Sequence, residues 1–287
     1  MSARCSVERH YSRNRLLQAI RNGLRESGLA AEALSVADLA PVDEFHVGGR
    51  EATGTLLDQL AIAAGHRVLD VGCGLGGAAR FAAHRYGCSV AGIDLTRDYV
   101  ETGTTLCAWV GLGDRVQLRR GDATDIPHAD AAFDRAYLMH VGMNVADKRT
   151  LSNELYRVLK PGGRLGIYDV MRVGRGSLRF PLPWATGAAG SEVATPAAYT
   201  TALQEAGFRI TAENDRREFA LEALARTRDS LLDTVQRPSL GLHILMGEWT
   251  MPRLENLSGN IESGIVAPRE LIADKRIQSA SLKTQDE

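Results

Sequence analysis

Asp70 ends a short apolar run and is followed by glycines at alternate positions, Gly72, Gly74 and Gly76, in RVLDVGCGLGG. Glycines there let the backbone come close to a ligand, and the acid beside them bears on which ligand that is. A carboxylate opposes a pyrophosphate, whose charge a dinucleotide site meets with a helix N-terminus, and it favours an ammonium group. The spacing, G-x-G-x-G-G, also departs from the dinucleotide fingerprint.

Two further acids repeat the arrangement. Asp94 ends the next apolar run in VAGIDLT and can accept both hydroxyls of a ribose. Asp122, in RRGDATDIP, can read an exocyclic amine together with the backbone next to it, although it could equally cap a turn. Two residues stand where a proton acceptor would be useful: His140, in YLMHVGMNVADK, and Asp169, in GIYDVM. Strand alternation turns either Tyr168 or Asp169 toward a cleft, not both. Asn144 can hydrogen-bond a substrate or begin a helix, and His46 can approach a carboxylate or stabilise its own turn. Tyr11, Phe180, Trp184 and Trp249 could wall a site for an apolar or cationic substrate.

The elements that must position these groups follow from periodicity. Apolar runs at 67–71, 89–93, 115–119, 133–138 and 164–170 alternate with helical segments near 77–86, 97–110 and 147–159. That alternation is the sequence form of βαβ units and a parallel sheet with helices on both faces. Thr195, Pro196 and Gly207 agree as cap, first-turn and stop signals for another helix. A sixth strand, FRITAEND, a mostly helical stretch over 217–262 and a weak strand around 264–273 complete the chain. Upstream, Leu16, Leu17, Ile20 and Leu24 share one face of an amphipathic helix, and a turn-rich stretch leads to a second helix near 50–64. Residues 1–64 are expected to form an N-terminal helical lid on a core of 65–287. Segments 171–195 and 217–262 are expected as cap insertions.

Composition sets the bounds. The 287 residues are 44% hydrophobic with a net charge of −1, enough for a sizeable core. No run of like charges suggests a nucleic-acid groove or a polybasic membrane patch. The N-terminal stretch lacks the apolar segment of a secretory leader and no run is long enough to span a membrane, so a cytoplasmic location is expected. Cys5, Cys73, Cys88 and Cys107 show no framework spacing and read as reduced thiols, and the scattered histidines suggest no protein-built metal site. Oligomeric state stays open, since the first helix could cap its own cleft or that of a second copy in a homo-oligomer.

The motifs VLDVGCGLGG, GIDLT, GDATDIP and LKPGGRLGIYDV together resemble those of class I S-adenosylmethionine (SAM)-dependent methyltransferases, over roughly residues 45–210. DEFHVGGREAT and FPLPWA are similar to the small-molecule branch, which includes sarcosine/dimethylglycine N-methyltransferases and sterol or prenyl C-methyltransferases. The resemblance implies an α/β, Rossmann-like seven-stranded sheet with an antiparallel last strand, and SAM as cofactor. It implies Asp70, Gly72, Gly74 and Gly76 near the methionine moiety, Asp94 with Leu95 at the ribose, and Asp122 with Ala123 at the adenine. His140 would face the methyl group. An acid at Asp169 resembles sterol-type enzymes, where a carboxylate steadies a cation or takes its proton. Methylation of an amine nitrogen ranks first on this resemblance. Carbon methylation of an isoprenoid-like acceptor, and a non-methylating cyclase or decarboxylase that retains SAM, are the alternatives.

Overall fold

Apolar residues alternate along the strands and sort their side chains between the two faces of one sheet. The computed structural model describes residues 16–30, 33–233 and 238–277. Its strands are β1 (Arg67–Val71), β2 (Ser89–Asp94), β3 (Val116–Arg120), β4 (Phe133–Met139), β5 (Leu159–Arg172), β6 (Phe208–Asp215) and β7 (Val266–Lys275). They lie in the order β3-β2-β1-β4-β5-β7-β6. The first five are parallel, and β7 runs antiparallel to both β5 and β6. The expected seven-stranded α/β sheet is therefore present, with its switch point between β1 and β4.

Leu69 and Val71 of β1, with Ala136, Leu138 and Ile167, face α6 (Lys148–Val158) and α7 (Pro196–Ala206). Val68, Tyr137 and Tyr168 face the other way, onto α3 (Gly49–Asp58) and α4 (Gly77–Tyr86). Each large aliphatic so buried contributes about 1.5–3 kcal/mol, so one-residue register slips are strongly disfavoured. α5 (Arg97–Trp109) connects β2 to β3. The caps fit local chemistry: the Thr195 hydroxyl accepts from Ala198 N at 3.2 Å, Pro196 occupies the first turn and Gly207 closes α7 at φ +107°.

The N-terminal region differs from expectation in two ways. A helix, α2 (Val36–Asp43), occupies the stretch before the second expected helix, and α3 ends at Asp58 rather than near 64. The missed signal is a capping box: the Ser35 hydroxyl accepts from Asp38 N, and Asp38 Oδ2 accepts from Ser35 N at 2.8 Å. Pro41 inside the helix obscured it, as did an apolar pattern too weak to show one face. α1 (Leu16–Glu26) buries Leu16, Ile20 and Leu24 in a cluster with Leu39, Tyr99 and Leu245. That cluster ties α1 and α2 to α5 and to the short α9 (His243–Met246).

The segment after β5 carries one short 3₁₀ turn, Ala188–Gly190. Its Leu182, Trp184 and Ala185 pack with α8 (Arg217–Leu232) and α10 (Thr250–Glu262). Among the described residues no helix is long and apolar enough to cross a membrane.

Candidate active site

The carboxyl ends of β1, β2 and β4 open onto a cavity of about 480 Å³. At one end stand Asp70, Gly72, Gly74, Asp94, Leu95, Asp122 and Ala123. The Asp94 carboxylate is oriented from within the protein. Its Oδ2 accepts from Gly74 N at 2.9 Å and its Oδ1 from Thr96 N at 2.8 Å, which leaves lone pairs for a diol. Burial raises its pKa, and these two amides only partly oppose the rise. Asp122 Oδ1 accepts from Thr124 N at 2.8 Å and from the Thr124 hydroxyl at 2.7 Å, so the acid closes a turn while lining the cavity.

Asp70 is almost fully buried, and its Oδ2 meets no donor in hydrogen-bonding geometry; the buried Tyr137 hydroxyl near the carboxyl is likewise left without a partner. Burial pushes its pKa up to about 8, against the lowering influence of the Tyr137 hydroxyl; the acids Asp94 and Glu44 add to the rise. A buried acid oxygen without a donor is costly, and an ammonium group would satisfy it.

The three glycines do different work. Gly74, at φ +52°, has no atom within 4 Å of where a Cβ would sit, so it leaves open a cradle that a side chain would fill. Gly72, at φ +74°, lets Val141 close within 2.3 Å of that position. Gly76 requires a correction. It does not line the cavity, and a Cβ there would lie 2.8 Å from Leu118 Cδ1, so its role is packing between the loop and β3. The orphan oxygen of Asp70, the cradle at Gly74 and the oriented carboxylate of Asp94 together fit an amino-acid-bearing nucleoside such as SAM.

Toward the other end lie His46, His140 and Asn144, and Asp43, Asp147 and Thr150 also line the cavity. His46 shares its Nε2 proton with the Gly49 carbonyl at 3.0 Å, and burial lowers its pKa to about 4. His140 follows β4 at φ +55°, an uncommon conformation for a side-chain-bearing residue. Its ring lies 4.9 Å from that of Tyr168 and 6.1 Å from that of His46. Burial, then His46, drives its pKa well below the usual value, and its Nε2 is buried without a partner. Asn144 Oδ1 is likewise buried without a donor. Both imidazoles are therefore neutral at physiological pH.

Three more sequence expectations need correction. Asp169 is fully buried on the opposite face of β5 from Tyr168, outside the cavity lining, where it accepts from Gly142 N and from the Tyr199 hydroxyl, each at 2.9 Å. Phe180 and Trp184 belong to the cluster under α8 and α10, and Trp184 Nε1 donates to Ser191 Oγ at 3.0 Å. Trp249 is half exposed on a 3₁₀ turn, so no wall forms from these three aromatics, and Tyr11 lies outside the described residues. In their place Phe45, Tyr99 and Leu245 line the cavity.

Sequence reading also missed a buried ion pair. Arg80 of α4, fully buried, donates to Asp43 Oδ2 of α2 and to the Leu75 carbonyl of the glycine loop at 2.8 Å. An arginine set among alanines in GAARFAAHRY was the available signal.

Comparison with known proteins agrees with this geometry. Residues 69–167 match the family described as "Methyltransferase domain". Among curated proteins, "Methyltransferase GfsG" of Streptomyces halstedii is 38% identical over 49% of this chain and 50% of its own length. "Phosphoethanolamine N-methyltransferase 3" of Arabidopsis thaliana is 31% identical over 64% of this chain and 37% of its own. The chain thus spans half or less of the length of these relatives. A solved geranyl diphosphate C-methyltransferase from Streptomyces coelicolor A3(2) shares the fold at TM-score 0.69 and 19% identity, covering 96% of this chain and 98% of that one.

Proposed function

We propose that this chain, a class I SAM-dependent methyltransferase, methylates an amine nitrogen of a small-molecule acceptor. One observation carries the reading: a single cavity joins an unpartnered acid oxygen at Asp70 to a methyl end whose two imidazoles are uncharged.

At the donor end, Asp70 receives the ammonium group, Asp94 the ribose hydroxyls and Asp122 with Ala123 the base, while Leu95 supplies apolar contact. When bound, SAM supplies a methyl group on a sulfonium, open to in-line displacement. The chain's own contribution is placement and exclusion of water, worth about 7 kcal/mol or more of barrier. The N-terminal helices serve as a lid, with Val42 of α2 and Leu245 of α9 lining the cavity beneath the α1 cluster. His140 Nε2 and Asn144 Oδ1, both buried without a donor, each take a hydrogen bond from an amine N–H, which aims the nitrogen lone pair at the methyl group.

Carbon methylation is the second reading, favoured by the apolar lining of Phe45, Tyr99 and Leu245. With Asp169 outside the cavity, His140 would have to take the proton alone. The test is calorimetric titration with SAM, followed by S-adenosylhomocysteine release from matched panels of amines and isoprenoid-like alkenes. Release with amines is expected. Release with alkenes alone would move the assignment to carbon. Conversion of a substrate without S-adenosylhomocysteine would replace transfer with a SAM-retaining cyclase or decarboxylase.

A further inference from the structure

We infer that Asp169 and Tyr199 are positioning residues for His140, acting through the turn that follows β4 from outside the cavity. The inference deepens the methyl-transfer reading and rests on it for the role of His140.

Successive residues within β5, Tyr168 and Asp169, hold the turn from two faces of the sheet. On one face, Tyr168 packs its ring against His140, and its carbonyl accepts from His140 N at 2.7 Å. On the other, Asp169 Oδ2 takes the Gly142 amide and the Tyr199 hydroxyl together. The approach is close enough to exclude a side chain: a Cβ on Gly142 would stand 2.3 Å from Asp169 Oδ2 and 2.4 Å from the Tyr199 hydroxyl oxygen. Further along, Lys148 of α6 donates to the carbonyls of Val145 and Glu192, the latter at 2.9 Å.

These anchors bracket the one conformation in the turn that a non-glycine residue resists. His140 at φ +55° carries a cost on the order of 1 kcal/mol, and such strain persists where the surroundings over-determine it. Two residues downstream the buried Asp169 carboxyl, whose pKa burial raises to about 7, holds the Gly142 amide and supplies that determination. His140 and Val141 reach the cavity before the anchor at Gly142, and Asn144 and Val145 reach it after. Releasing Gly142 therefore frees the cavity wall on both sides, His140 and Asn144 included, without altering Asp70, Asp94 or Asp122 at the donor end.

The experiment compares the wild-type chain with Asp169→Asn and Tyr199→Phe, each labelled with ¹³C at histidine Cε1, using His140→Ala to assign the His140 signal. SAM affinity is measured by calorimetry and kcat by S-adenosylhomocysteine release. The expected result is a displaced or broadened His140 signal in both variants, unchanged SAM affinity and a kcat lowered by about tenfold in Tyr199→Phe and more in Asp169→Asn. An unmoved His140 signal in folded variants would overturn the inference, even if their melting temperatures fell, because the pair would then be merely structural. Should Asp169→Asn fail to fold, Tyr199→Phe decides alone. Failure of the wild-type chain to bind SAM would sink the methyl-transfer reading, whereas the histidine signal judges the positioning claim independently.

Discussion

At the donor end of the cavity each acid comes from a strand terminus or the few residues after it, and backbone amides of the same loops orient Asp94 and Asp122. Asp94 shows this: both its donors, Gly74 N and Thr96 N, lie within the first two βα turns. At the methyl end, His46 comes from the α2–α3 connection and His140 and Asn144 from the turn after β4, and that turn is fastened by β5, α6 and α7. The first end is preorganised by local backbone geometry. The second depends on tertiary packing of elements far apart in the chain. Binding of the donor and reaction of the acceptor should therefore respond to different mutations.

The largest effect expected at the donor end is that of Asp94→Ala. The substitution removes a paired acceptor for the ribose and strands two amides, at about 1.5–3 kcal/mol for each charged hydrogen bond lost. SAM affinity should fall by about 100-fold or more in calorimetry. An unchanged affinity would break the comparison, since this end would then not hold the donor.

His140→Ala tests the opposite end. Loss of this orienting hydrogen bond should lower kcat by about 10- to 100-fold while SAM affinity stays as in the wild type. A parallel loss of affinity would show that the two ends are not separable.

This division also explains what could be read in advance. Asp70, Asp94 and Asp122 were legible because a parallel sheet puts its strand ends along one edge, so short motifs locate their side chains without knowledge of packing. Asp169 was not, because alternation offers two faces and only the packing of α7 selects one; Tyr199 claims the carboxylate from thirty residues away. Phe180 and Trp184 failed for a related reason: an aromatic in a long loop seeks the nearest apolar cluster, here the one under α8 and α10. The Asp43–Arg80 pair joins helices that no periodicity links. The sheet itself was almost wholly legible, and α2 was lost to one proline.

A smaller effect sharpens the account of the donor end through pH. Burial holds the Asp70 carboxyl up to about 8, so a cation arriving at its Oδ2 must displace a proton at neutral pH. SAM affinity should rise with pH by up to about tenfold per unit until pH nears 8, then level off, and Asp70→Asn should flatten the profile. Without ligand the sign reverses. A folded-state pKa above that of the unfolded chain means stability from this group is full below about 4 and is lost as pH rises through about 8. Melting temperatures of the free and SAM-bound chain measured from pH 5 to pH 9 should therefore diverge.

The smallest effect separates two glycines that the motif treats alike. Alanine at 76 meets Leu118 at 2.8 Å and an unfavourable φ of +77°, so Gly76→Ala should cost about 1–3 kcal/mol of stability and leave SAM affinity of the folded chain intact. Alanine at 74 meets no protein atom, so Gly74→Ala should cost about 1 kcal/mol for its φ of +52° alone, yet weaken SAM because the new methyl group enters the cradle. Melting curves and calorimetry on the two variants should rank them in opposite orders. The same rank in both measurements would mean that Gly74 and Gly76 contact the ligand together, and the local reading of the donor end would need to be redrawn around the whole loop.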